Sequence, residues 1–217
     1  MKNFSLRYLL AVMLMLLPIL CGGQAKIYTR STKMADLQTR TTSMVLSGNA
    51  TLDEAFKEEV SLRWSLNPFE FCTQKEYEKL KTSCESYFLR FKAEDGVLFL
   101  SYSKGGKDTD TDRMKQPFDI VELPVGLEDL SNGCEIEYLG AFLDIIQTFA
   151  ENAMTSDKIA YAGLKYVNNT DVKGRRLEAP NIFPAAGGKY SYTLMLDSDT
   201  RELCRFRKRP NDAVSQR

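Results

Sequence analysis

Apolar positions recur along the chain with two periods, and the switches between them predict the elements. Met44-Val45-Leu46 reads as a short strand, closed by Ser47-Gly48-Asn49. Leu52, Ala55, Phe56, Val60 and Trp64 then fall at helical spacing on one face. Thr51-x-x-Glu54 stands where a capping box would open that helix, and Asn67-Pro68 where the helix would stop. Phe69–Cys72 is strand-like, and Thr73-x-x-Glu76 offers a second capping box for a shorter helix through Tyr77 and Leu80. Tyr87–Phe91 and Val97–Tyr102 flank Asp95-Gly96, which predicts a β-hairpin with positive φ angles in its turn.

After a polar loop over 104–116, Phe118–Val125 reads as a strand ended by Pro124 and Gly126. Tyr138–Met154 is the strongest helix, with Leu139, Phe142, Leu143, Ile146, Phe149 and Ala150 inward. Past Asn168-Asn169 the pattern turns irregular. It recovers at Tyr190, Tyr192, Leu194 and Leu196, which alternate as a strand before Ser198-Asp199 turns toward Leu203–Phe206. The order β-α-β-α-β-β-β-α-β predicts an α/β (α+β) fold, a mixed sheet with two or three packed helices. The expected organisation is a signal peptide over 1–25, a flexible lead-in over 26–40, one α/β domain over 41–206 and a basic C-terminal tail over 207–217.

The first segment is expected to be an address. Lys2 and Arg7 precede thirteen uncharged, mostly apolar residues, Tyr8 to Leu20, too few for a membrane span of about 20. Gly23 and Ala25 place small residues at −3 and −1 of a cleavage before Lys26. Cys21 directly after the apolar run offers the competing outcome of lipid attachment, although Leu20 is larger than the residue usual there. No later stretch is apolar enough to span a bilayer, so membrane attachment is expected only if Cys21 is lipidated.

Composition then narrows the chemistry. The 217 residues are 43% hydrophobic and 11% aromatic, enough for a packed core. There is no histidine, which excludes a Ser-His-Asp triad, a Cys-His pair and imidazole-bound zinc or haem from this chain alone. The 29 basic residues balance 29 acidic ones; without 1–25 the balance is 27 to 29, a net −2. A nucleic-acid partner is therefore not expected. Cys72, Cys84, Cys134 and Cys204 are disulfide candidates in an exported chain, with free buried thiols as the alternative; no C-x-x-C pair is present.

Asp108, Asp110 and Asp112 are candidate metal ligands, because alternating carboxylates supply positions 1, 3 and 5 of a calcium loop. Arg113 stands where that loop needs Gly, and Asp119 where it needs Glu, so a solvated loop is the competing reading. Apart from calcium no cofactor is expected. Ser47-Gly48-Asn49 lacks the lysine and glycine spacing of a nucleotide loop. Glu122, Glu135 and Glu137 are the carboxylates whose convergence would suit glycoside hydrolysis, while Trp64 is expected in the core. Asn49-Ala-Thr51 and Asn168-Asn-Thr170 are glycosylation sequons. The run Arg205–Arg209 is basic and suits an acidic partner, an anionic surface or plain solvation.

The stretch Val45–Leu100, with Leu-Ser-Gly-Asn before a helix, Trp64-Ser-Leu-Asn-Pro-Phe-Glu-Phe-Cys72 and Tyr87-Phe-Leu, resembles an uncharacterised family of exported proteins from Bacteroides-type bacteria. Its strand–helix–strand order is also similar to the N-terminal domain of TolB-like periplasmic proteins and to CsgG-like envelope proteins. These likenesses imply a fold and export but bring no site residue. The expectation is an exported periplasmic or cell-surface protein without catalytic activity, whose partner is a protein or envelope component. A carboxylate-based glycan hydrolase and a calcium-dependent binding protein are the alternatives.

Overall fold

A computed structural model describes residues 29–106, 118–184 and 188–211. In chain order these form α1 (Arg30–Lys33), a 3-10 turn (Leu37–Thr39), β1 (Thr42–Val45), α2 (Ala50–Arg63), β2 (Phe69–Cys72), α3 (Gln74–Leu80), β3 (Tyr87–Glu94), β4 (Val97–Lys104) and β5 (Phe118–Leu127). There follow α4 (Cys134–Glu137), α5 (Leu139–Thr155), α6 (Asp157–Ala162), a second 3-10 segment (Gly163–Asn169), β6 (Leu177–Glu178), β7 (Asn181–Ile182), β8 (Tyr190–Asp197) and β9 (Leu203–Pro210). The α/β class and the mixed sheet agree with the pattern of the sequence.

Five strands make the main sheet in the order β2-β1-β3-β4-β5. β1 is parallel to both β2 and β3, so α2 and α3 are crossovers; β3, β4 and β5 are antiparallel. Successive side chains of β1 leave on opposite faces. Met44 joins the main core under α2 and α5, and Val45 joins Cys72, Tyr77 and Phe88 beneath α3. Phe56 of α2 meets the rings of Phe71 and Phe91 edge-on, at 6.4 and 5.2 Å.

Local signals set the ends of these elements. Asn49 caps α2, its Oδ1 accepting from the Leu52 amide at 3.1 Å, two residues before the expected capping box. Asp53 accepts from the Ser47 and Gly48 amides at 2.7 and 3.0 Å, which fixes the turn ahead of the helix. At α3 the expected box forms: the Thr73 amide donates to Glu76 and the Glu76 amide to Thr73 Oγ1. Asp95 and Gly96 turn the hairpin at φ 51° and 79°. β5 runs on to Leu127 through Pro124 and Gly126, expected to end it. As the outermost strand it needs no donor at Pro124, and the ladder shifts register there.

Two expected boundaries are corrected. Residues 29–40 are docked, with Met34 and Leu37 buried, and are no flexible lead-in as far as they are described. The Arg30 guanidinium donates to the Ala160 carbonyl, Ser31 to Asp157, and Lys104 and Tyr87 both to Asp36. Polar contacts across the fold hold this arm, and hydrophobic periodicity carries no trace of them. The expected basic tail begins inside β9, since residues 207–210 pair with β8.

The C-terminal sheet is built on β8. β9 lies along one side, and β6 and β7 share the other as one strand interrupted at Ala179-Pro180; the Pro180 carbonyl still accepts from the Leu194 amide. Ile182, Tyr192, Leu194 and Leu203 belong to the same core cluster as the main sheet. Both sheets therefore share one interior.

Candidate functional site

α5 buries its apolar stripe and presents Asp144, Gln147, Thr148 and Glu151 together, since i, i+3, i+4 and i+7 share a helix face. Opposite stand the β8–β9 turn with the start of β9 and, to one side, Tyr166 and Thr170 around the second 3-10 segment. The end of α2 closes one end. Together they enclose a cleft of about 510 Å³.

The floor is held by Gln147. Its Oε1 accepts from the Ser65 and Leu66 amides at 2.7 and 3.2 Å, and its Nε2 donates to the Arg63 carbonyl at 3.1 Å. The turn is fixed by Asp197, whose Oδ1 accepts from the Asp199 and Thr200 amides at 2.9 and 3.1 Å. Those amides hold its carboxyl below the usual range. Arg201 follows at φ 61°, a left-handed conformation uncommon for a side-chain-bearing residue, with its amide bound to the Asp197 carbonyl.

Most charges of the cleft are already matched. Arg63 donates to Glu59 at 2.6 Å and to Asp144 at 3.3 Å. Gly140 makes room for this, since a Cβ there would lie 2.5 Å from Arg63 Nε. Burial pushes the Asp144 carboxyl above its usual range, against the opposing pull of Arg63 and Arg201. Glu202 pairs with Arg175 at 3.2 Å. Glu151 and Arg201 remain, exposed and without a salt bridge among the described residues. Burial also raises the Tyr166 phenol, and Cys204 is fully buried at the cleft wall.

The structure does not bring the expected site residues together here. Cys21 and Asp108, Asp110 and Asp112 lie outside the described residues, as does the signal segment 1–25. Cys72, Cys84, Cys134 and Cys204 are all free thiols, so no disulfide joins the candidates. Cys72 lies on β2 and Cys204 on β9, in different sheets. Glu122 is paired with Lys92 at 2.8 Å, and Glu135 is buried against Gly126; neither they nor Glu137 line the cleft. Trp64 is in the core, as expected, its Nε1 donating to Asn67. Among the described residues no cluster of three or more acids and thiols is placed to hold a metal, and no helix is long and apolar enough to cross a membrane.

Arg63, Asp144, Glu151 and Arg201 escaped the sequence pattern. The polar face of α5 is visible in it, but a cleft wall and a solvated face read alike until residues 200–204 are brought opposite. No family model, no curated protein and no solved structure matches this chain.

Proposed function

We propose that this chain is an exported, non-catalytic protein of the periplasm or cell surface that acts through protein or envelope contacts, with the α5–β9 cleft as its contact site. The observation that carries this is the charge pattern of the cleft. Asp144 and Glu202 are held by Arg63 and Arg175, while one acid and one base, Glu151 and Arg201, are left for a partner. Preset walls of this kind favour recognition, because little ordering remains to be done on binding. Export rests on the charged, apolar and small-residue sequence of residues 1–25 and on the resemblance over residues 45–100.

Native mass spectrometry of the chain isolated from its own host tests the reading and fixes the N-terminus as Cys21 or Lys26. A bound species carried by the wild type and lost from Arg201→Gln and Glu151→Gln is the expected result. A species retained by both variants places the contact elsewhere.

A second reading, a carboxylate-based glycan hydrolase, draws on one observation: Asp144 is raised by burial and shares the cleft with Glu151 and Glu202. A general acid needs such a shift. Release of reducing sugar from neutral glycans, abolished by Asp144→Asn, would favour it over the contact role.

A further inference from the structure

β9 sorts the basic run of the sequence onto two faces. Arg205, Arg207 and Arg209 stand opposite Met195, Thr193 and Ser191 of β8, while Phe206 and Lys208 stand opposite Leu194 and Tyr192. Leu194 and Tyr192 belong to the core cluster, so the three arginines leave on the outer face of the sheet. Lys208 stays on the inner side, its Nζ over the rings of Tyr190 and Tyr192 at 3.8 and 5.6 Å. Arg205 is taken up by the Thr170 carbonyl. Arg207 and Arg209 are exposed, and neither has an ion pair or a side-chain hydrogen bond among the described residues.

The edge of the strand is open over the same residues. Asn168 takes both backbone groups of Phe206, so the even-numbered positions of β9 point away from β8. The Asn211 amide donates to the Lys189 carbonyl, so the odd-numbered ones point toward it. The register is unbroken from Phe206 to Pro210. The amide and carbonyl of Lys208 and the carbonyl of Pro210 therefore face outward, without a partner among the described residues. An extended chain can complete such an edge. Same-face residues of a strand repeat every 6.8 Å or so, twice the rise of about 3.4 Å, and Arg207 and Arg209 share that repeat. Acids two residues apart on an added strand would meet both arginines as cross-strand neighbours. A second copy of β9 would set basic side chains against basic ones. A lipid surface would answer the charges but not the row of backbone groups.

We propose that the edge of β9 from Lys208 to Pro210 takes an extended acidic segment of a partner protein, added as a further strand, with carboxylates at alternate positions beside Arg207 and Arg209. None of these residues lines the α5–β9 cleft, so this is a second contact surface, independent of it.

Fluorescence polarisation at low salt tests this with the labelled peptide acetyl-Thr-Val-Glu-Val-Glu-Val-Thr-amide. Its control, acetyl-Thr-Val-Glu-Glu-Val-Val-Thr-amide, has the same composition with the acids adjacent. The alternating peptide is expected to bind, and the control on the order of 2- to 5-fold more weakly. Arg207→Gln and Arg209→Gln should each weaken the alternating peptide by a similar factor; both side chains are exposed, so the fold survives either change. N-methylation of every second amide of the peptide should abolish binding in one phase and spare it in the other, since only one set faces β9. A flat titration with the alternating peptide overturns the proposal, as does equal binding of both peptides or of both methylated forms. Vesicles of phosphatidylglycerol that bind while the peptide does not would assign the arginines to a lipid surface and overturn it as well.

Discussion

The side-chain amide of Asn168 binds the backbone of Phe206 in both directions, Nδ2 donating to its carbonyl at 3.1 Å and Oδ1 accepting from its amide at 2.9 Å. A neighbouring strand would make the same pair of bonds. Asn168 thus occupies part of the outer edge of β9, and Arg205 extends the cover by donating to the Thr170 carbonyl. Open edges invite pairing with other chains.

Asn168→Asp should therefore loosen this edge. A carboxylate cannot donate to the Phe206 carbonyl, and the loss should be about 1 kcal/mol of stability, with concentration-dependent self-association. Urea unfolding read alongside size-exclusion chromatography at two protein concentrations checks both parts. An unchanged elution volume would mean that the basic side chains of 207–209 protect the edge by themselves.

Asn67→Ala should cost far more. Asn67 Oδ1 accepts from Thr42 Oγ1 at 2.9 Å and from Trp64 Nε1 at 3.0 Å, while its Nδ2 donates to the Leu37 and Arg40 carbonyls, both at 2.9 Å. One buried side chain ties the arm, β1 and the end of α2. Thr42 keeps Tyr102 as a partner, but Trp64 Nε1 and the Leu37 and Arg40 carbonyls lose the bonds that Asn67 makes, which should remove roughly 3–5 kcal/mol. Trp64 is the sole tryptophan, so its emission reports the unfolding directly.

Asp36 makes stability depend on pH in the acid range. Burial raises its carboxyl, but the hydrogen bonds from Lys104 and Tyr87 and the Lys104 charge outweigh that and hold it below the usual 3.8. A depressed carboxyl stabilises the fold above its unfolded value, and the contribution is lost as pH falls through the folded one. Asp36→Asn should be less stable than wild type at pH 7, and the gap should close below about pH 4. Urea midpoints from pH 7 to pH 2 give the comparison; a constant gap would assign the effect to packing.

The thiols should label in order of exposure. Burial, with Glu76 and Glu70 nearby, pushes Cys72 up to about 11, and Cys204 is fully buried. Cys84 is half-buried in the loop after α3 and should react first with iodoacetamide at pH 8. Cys72 and Cys204 should label only under denaturant. Fast labelling of Cys204 in the native protein would show that the cleft wall opens.

The first half of the chain was legible because its signals are local. The α2 face from Leu52 to Val60, the Thr73 capping box and the Asp95-Gly96 turn each lie within a few residues. Pro124 misled because its cost depends on whether the strand is at an edge, which only the sheet order decides. Asn49 displaced Thr51 as the cap of α2, since two residues only two positions apart could each serve and Asp53 settled the turn. The docked arm and the β6–β7 edge were hidden for another reason. They are held by partners such as Asp36–Lys104 and Pro180–Leu194, polar or backbone bonds that leave no period in the sequence. The cleft shared that fate, because its two walls are about 50 residues apart in the chain.

The arm also places a constraint on the order in which the molecule can be completed during synthesis. Asp36 waits 68 residues for Lys104, and Arg30 waits 130 for Ala160. Until the ribosome has made α6, Met34 and Leu37 have no complete interior to enter. The bonds to Tyr87, Lys104 and Asn67 can form once β4 is made. Those of Arg30 and Ser31 to Ala160 and Asp157 need α6, so the arm's full set of contacts belongs only to a chain that has reached that helix.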